Sequence, residues 1–194
     1  MDEALQQIRN IAETYTHIPD EEWEYFIPHL TIRSFKKKEH LLSADTVADH
    51  SFIIVSGLVR IYYITDSGKE FNRGFAVENN FIGSISSMIK KLPSRFYIQA
   101  LEDTVAGLIW RSKLEELYER HKCWERLGRL IAENSLIQIE ARESDILDSP
   151  EVHYTRFMKK HPDIAARLPQ YHIASYLHIT DVALSRLRKR VHLI

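Results

Sequence analysis

A single cysteine, Cys123, occurs in 194 residues. One thiol excludes a disulfide framework within the chain, and equally a protein-supplied four-cysteine cluster or zinc site. Glycine and proline are sparse at six each, and no low-complexity tract suggests disorder. No apolar run approaches the roughly 18 residues of a membrane span. The opening MDEALQQIRN is acidic and amphipathic, unlike a secretory signal, so a cytoplasmic address is expected. Histidine is scarce where a metalloenzyme barrel would need it. Between Thr31 and Trp110 only His40 and His50 occur, both in expected loops, which argues against a cupin-type metal site. No Ser-His-Asp or P-loop arrangement is visible. No catalytic or metal residues are therefore assigned, and the chain is not expected to be an enzyme.

What is present is unevenly distributed. The net charge of −1 hides eight Lys/Arg against three Asp/Glu in residues 151–194, a local +5 that leaves −6 for the first 150 residues. An acidic body carrying a basic C-terminal module is the pattern expected when only that module meets phosphate.

The chain reads as helices, then strands, then helices. Leu5, Ile8, Ile11 and Ala12 recur at helical spacing, and Pro19-Asp20-Glu21-Glu22 opens a second short helix containing Trp23, Phe26 and Ile27. From Thr31 the pattern becomes extended, with runs at Ile32–Phe35, Phe52–Val55, Leu58–Ile64, Glu70–Phe75, Phe96–Leu101 and Val105–Trp110. Turn signals such as Asp66-Ser67-Gly68-Lys69 separate them, which predicts a closed antiparallel barrel or jelly roll. Ser112 is the expected cap of the next helix. A long helix over 124–146 places Leu127, Leu130, Asn134, Ile137 and Ala141 at 3-4-3-4 spacing. That stripe fits a homodimer seam or a core helix against its own barrel. Asp148-Ser149-Pro150-Glu151 ends this helix and starts another.

The C-terminal residues carry the sharpest pattern. Ile173, Ala174 and Leu177 share one helical face, and Val182, Leu184 and Leu187 share another beyond the junction His178-Ile179-Thr180, where Thr180 suits an N-cap. Ser185, Arg186, Arg188, Lys189 and Arg190 leave the second helix with a polar, basic exterior. A helix-turn-helix that reads the major groove has this construction, and so does a helical hairpin with a solvated basic face.

The order of elements resembles the Crp/Fnr transcription regulators, relatives of the cyclic-AMP receptor protein. The resemblance rests on Phe52-Ile53-Ile54-Val55-Ser56-Gly57 with Val59-Arg60-Ile61-Tyr62, the Asp66-Ser67-Gly68-Lys69-Glu70 turn, Asn80-Phe81-Ile82-Gly83, and Ile173-Ala174-Ser175-Tyr176-Leu177 with Leu184-Ser185-Arg186. It implies an α+β fold: an antiparallel cyclic-nucleotide-binding-like jelly roll with flanking helices, a long dimerisation helix, and an all-α helix-turn-helix without the usual β wing. The corresponding divisions are 1–111, 112–148 and 149–194. The wingless expectation follows from the sequence running only to Ile194.

In that family the segment after Phe81-Ile82-Gly83 forms a phosphate-binding cassette, with a Glu for the ribose and an Arg-Ser pair for the phosphate. Here Ser84 stands in the Glu position and Ser94-Arg95 replaces Arg-Ser, one position out of step; in a strand, one position reverses the face. Ser86, Ser87 and Met88 replace small apolar residues. The resemblance thus implies an effector pocket at Phe81, Gly83, Ser84, Ser94, Arg95 and Ile137, and the departures from the family pattern point to a small molecule other than cyclic AMP or to no effector at all. A cysteine-bound cluster is excluded by Cys123 standing alone, and the ten histidines show no paired haem spacing; five of them, His153, His161, His172, His178 and His192, lie in the C-terminal module.

The resemblance also assigns the DNA contacts. Asp181, Val182, Ser185 and Arg186 would reach base edges, with Arg186 pairing bidentately to guanine. Asp181 would accept from a cytosine amine or cap its own helix. Thr180 opens the reading helix, Gln170 and Tyr171 would meet phosphate from the preceding helix, and Arg188, Lys189 and Arg190 would clamp phosphates. The implied partners are double-stranded DNA, a second copy joined through the 124–146 helix, and RNA polymerase, with no membrane. An alternative is a sensor of this fold acting through protein contacts with little DNA binding.

Overall fold

The computed structural model describes residues 2–191, without the side chains of Ile146 and Val191. His192 and the stretch to Ile194, on which the wingless expectation rests, lie outside the described residues. The fold is α+β. Helices α1 (Asp2–Tyr15) and α2 (Asp20–Phe26) precede a jelly roll of two four-stranded antiparallel sheets. One sheet runs β1 (Leu30–Phe35), β8 (Thr104–Trp110), β3 (His50–Ser56) and β6 (Phe81–Ile82). The other runs β2 (His40–Leu42), β7 (Tyr97–Ala100), β4 (Val59–Ile64) and β5 (Glu70–Ala76). Helix α3 (Ile85–Lys90) interrupts the strands after β6.

Alternation along the strands builds the interior. Phe35, Phe52, Ile54, Val59, Ile98, Ala106 and Leu108 fill the barrel, closed near α3 by Met88 and Phe96. The opposite side chains serve other layers. Ile53 and Val55 of β3 point outward into a second core with Ile8, Ile11, Trp23 and Phe26 of the N-terminal helices. Burial of each such aliphatic side chain contributes roughly 1.5–3 kcal/mol against the entropy of ordering the chain.

Helix α4 (Arg111–Arg120) begins one residue before the expected cap: Trp110 occupies the N-cap position and Ser112 lies within the first turn. Helix α5 (Lys122–Leu147) begins before Trp124, capped by the His121 ring, which accepts from the Cys123 amide at 3.2 Å. The two readings of its apolar stripe divide along its length. Cys123, Trp124 and Leu127 are buried against α1 and α2, with Trp124 tilted on Phe26 at 4.9 Å and its indole N–H donating to buried Glu22 at 3.0 Å. Farther on, Leu136, Ile137 and Ile139 are exposed. Ser149 caps α6 (Pro150–Lys160), with Pro150 in its first turn. Helices α7 (Pro162–Arg167), α8 (Gln170–Tyr176) and α9 (Asp181–Val191) complete the C-terminal module.

Two short strands, β2 and β6, and the six-residue α7 were not foreseen, because elements of two to six residues carry too little periodicity to stand out. One glycine is required by geometry. Gly57 turns the chain between β3 and β4 at φ +106°, where an added Cβ would lie 2.8 Å from the Thr104 Cα and 2.9 Å from the Asp103 carbonyl oxygen. Both obstacles are backbone. Gly57→Ala should therefore destabilise by about 2–4 kcal/mol, through strain and steric overlap together. Urea unfolding of the two proteins measures this directly.

Candidate DNA-reading face and effector site

The turn between α8 and α9 is defined by local chemistry. His178 adopts the left-handed region at φ 58°, the Ile179 amide donates to the Ala174 carbonyl at 3.0 Å, and the Thr180 hydroxyl accepts from the Ala183 amide at 3.2 Å. Thr180 thus caps α9, leaving Asp181 exposed in the first turn. Ile173, Ala174, Leu177, Leu184 and Leu187 are buried together with Tyr154 and Phe157 of α6, Ile164 of α7, and Leu168 just after it. Packing this side turns the other outward. Val182 is 61% exposed, and Asp181, Ser185, Arg186, Lys189 and Arg190 are exposed with it. Val182, Ser185, Arg186 and Lys189 fall at helical i, i+3, i+4 and i+7 spacing on a single face. Gln170 and Tyr171 are exposed at the start of α8. Arg188 is half-buried and lines a cavity of about 340 Å³ with Tyr154, Met158, Leu168 and Ile173. It therefore sits apart from the face formed by the others.

The six residues of the expected effector pocket do not converge. Phe81 packs outward, edge-on to Tyr15 at 6.0 Å in the helical core, while its neighbour Ile82 faces the barrel. Gly83 stands close to Ser51 and Met88. Ser84 is buried with its hydroxyl unpaired among the described residues. Ser94 is buried too, but its hydroxyl donates to the Phe96 carbonyl at 2.9 Å and is occupied by its own turn. Arg95 is exposed, on the other side of the chain from Ser94, and Ile137 is 60% exposed on α5. Apart from the buried Ser84 and Ser87 hydroxyls the barrel interior near α3 is apolar, and the exposed Arg95 brings no guanidinium into it to neutralise a cyclic phosphate.

Other residues join the barrel to the C-terminal module. Asn72 of β5 is fully buried: its amide N–H donates to the Ser175 hydroxyl at 3.0 Å, and its side-chain NH₂ donates to the His172 ring nitrogen and carbonyl at 3.1 and 3.0 Å. Ser175 in turn donates to the Glu70 carbonyl at 3.2 Å. The Arg167 guanidinium forks across two barrel carboxylates, reaching Glu78 at 3.0 and 3.1 Å and Glu102 at 3.2 and 2.7 Å. Burial pushes the Glu78 carboxyl upward, but the Arg167 bonds and the Gly57 amide outweigh it and hold the group below its ordinary range. Sequence patterns missed this set because its partners are separated by 65 to 105 positions.

Residues 32–121 match the cyclic nucleotide-binding domain family. No curated protein matches the sequence. Among solved structures, FixK2 from Bradyrhizobium japonicum is similar with a TM-score of 0.73 and 22% identity, over 84% of this chain and 85% of that one. The c-di-GMP responsive global regulator CLP of Xanthomonas campestris gives 0.72 at 16% identity, over 90% and 92%. A protein from Eubacterium rectale classed as a transcriptional regulator of the Crp/Fnr family gives 0.70 at 14%, over 91% and 84%. The chain has the Crp/Fnr fold. Within this Crp/Fnr fold, α9 stands where the sequence pattern put a second helix of a helix-turn-helix. No described helix is long and apolar enough to cross a membrane, and no described group of three or more His, Cys, Asp and Glu is placed to hold a metal ion.

The buried His172 makes the junction sensitive to acid. Burial, reinforced by the charge of Arg60, lowers its pKa from 6.5 to about 4. An imidazole with a lowered folded pKa stays neutral while the unfolded chain takes up a proton, so stability falls as pH drops from about 6.5 towards 4. The expected loss is about 2–3 kcal/mol between pH 7 and 4.5. Urea unfolding across that range should show a shallower decline in His172→Gln. Equal slopes in the two proteins would refute the assignment.

Proposed function

We propose that this protein is a homodimeric, sequence-specific DNA-binding transcription regulator of the Crp/Fnr type, with α9 as its reading helix. The single observation that carries this is the outward face of α9 in a Crp/Fnr fold, with Val182, Ser185, Arg186 and Lys189 exposed together. On this reading residues 1–111 sense, 112–148 connect and pair, and 149–194 read. Arg186 donates to guanine O6 and N7, Val182 meets a thymine methyl, and Asp181 is free for a cytosine amine because Thr180 supplies the cap. Gln170, Tyr171, Lys189 and Arg190 meet phosphates, and two copies address half-sites roughly 34 Å apart. The likeness to regulators supports a non-enzymatic role, and RNA polymerase is the partner through which such a protein would act. Its effector is a small molecule other than cyclic AMP.

The exposed Leu136, Ile137 and Ile139 support pairing through α5, since one continuous helix leaves its second half apolar and uncovered. Ile137→Glu would bury a carboxylate at that seam and should convert a dimer to a monomer in sedimentation. A wild-type monomer, or an unaltered dimer in the variant, would remove α5 from the interface.

DNA binding is tested on fragments enriched from a random pool. Arg186→Ala should cost about 1–3 kcal/mol, or roughly fivefold to 150-fold in affinity, and relax preference at one base. Arg190→Ala should weaken all sequences alike and reduce the salt slope by about one. Binding that ignores both changes would favour the second reading, a sensor acting through protein contacts. The polar docking of α8 on β5 is the observation behind that second reading, because it already engages the module with the barrel.

A further inference from the structure

Strand β5 contains one residue more than its partner. Ile61 pairs with Gly74 and Tyr62 with Asn72, so Arg73 is the extra residue of a bulge. While Asn72 faces α8, the Arg73 guanidinium lies 5.3 Å from the ring centre of Phe96, the aromatic side chain that closes the barrel near α3. Tyr63 meets the same ring edge-on at 6.0 Å. Arg142 approaches this place from α5. One of its terminal nitrogens lies 3.6 Å from where a Cβ on Gly74 would be, which places the guanidinium in van der Waals reach of this stretch of β5.

The other buried or half-buried arginines in this part of the molecule have carboxylate partners. Arg60 holds Glu70, Arg167 holds Glu78 and Glu102, and Arg156 takes Asp145, an acid three residues from Arg142 on the same helix. Arg73 and Arg142 form no ion pair among the described residues. Arg142 has only a long contact to the Asn72 carbonyl at 3.5 Å and the face of Tyr176 at 5.6 Å. Burial, with the like charge of Arg73, holds its ionisation below the ordinary arginine range. Two guanidiniums kept together without a counter-ion, beside two aromatic rings, lack an oxyanion with an apolar body.

We propose that Arg73 and Arg142 form the cationic part of a site for a small organic anion, a carboxylate or phosphate ester whose apolar portion lies against Phe96 and Tyr63. This replaces the expected pocket around Ser84, Ser94 and Arg95, and rests on the reading of the barrel as a sensor. The anion draws on the same guanidinium that touches Tyr176 of α8, so its binding changes what holds the reading module to the barrel.

The test uses the full chain without DNA, so failure here leaves DNA reading by α9 standing, and the reverse. Phenyl phosphate, phenylacetate and inorganic phosphate are titrated while the arginine side-chain Nε–H resonances are followed. One of the two aromatic anions should shift Arg73 and Arg142 saturably and leave Arg95 unmoved; the tighter of the two assigns the oxyanion. Arg73→Gln and Arg142→Gln should each weaken that binding about tenfold or more, with Arg142→Lys intermediate and Arg95→Gln unchanged. No saturable shift from either aromatic anion overturns the proposal, as does affinity no better than that for inorganic phosphate. Binding undiminished in the Arg73 and Arg142 variants overturns it too. The wild-type resonances decide the matter even if a variant does not fold.

Discussion

The burial of Asn72 constrains the whole arrangement. Buried donors need hydrogen-bond partners, and those of Asn72 come from α8: the Ser175 hydroxyl for its backbone N–H, and the His172 ring and carbonyl for its side-chain NH₂, while its Oδ1 finds none among the described residues. The barrel is therefore completed by the module that follows it. Around these bonds Leu58, Phe75, Val77 and Leu101 add apolar contact with the module core. Each neutral hydrogen bond contributes only about 0.5–1.5 kcal/mol net, since water offers the same groups a replacement. The interface is thus held by apolar burial and by directional polar contacts together.

The Arg167 fork belongs to the same junction but differs in kind. It bridges two loops of the barrel from the end of α7, and its charge-assisted, bidentate geometry fixes direction as well as distance. The Asn72 cluster locates α8 along the strand, whereas Arg167 sets how α7 approaches the barrel. Both sites contain a group whose ionisation the fold shifts downward, His172 in one case and Glu78 in the other.

Much of this architecture was legible in the sequence because it is local. Alternating residues in Phe52–Val55 and Leu58–Ile64 announced the strands, and the spacing of Ile173, Leu177, Leu184 and Leu187 announced the paired helices. Thr180 signalled its cap by residue type alone. The effector site was not legible in the same way. Phe81, Ser94, Arg95 and Ile137 match a family pattern by position, whereas alternation along the strands turns Phe81 and Arg95 away from the barrel interior. Arg73 and Arg142 lie 69 positions apart and are brought together by a strand bulge and by the path of α5 over Gly74. Neither device has a periodic signature.

That bulge has a consequence for how the protein can vary. Between Glu70 and Gly74, adjacent residues serve opposite sides of the sheet: Asn72 engages the helical module and Arg73 the barrel mouth. A change of side chain alters one of these tasks. Deleting the extra residue would restore regular pairing and remove the guanidinium together with the local bend that the bulge gives the strand, so a change of length alters backbone direction as well as side chain. This short stretch is thus fixed in length more strictly than in composition, and an arm of the molecule some hundred residues downstream is registered by one uncounted step in a strand.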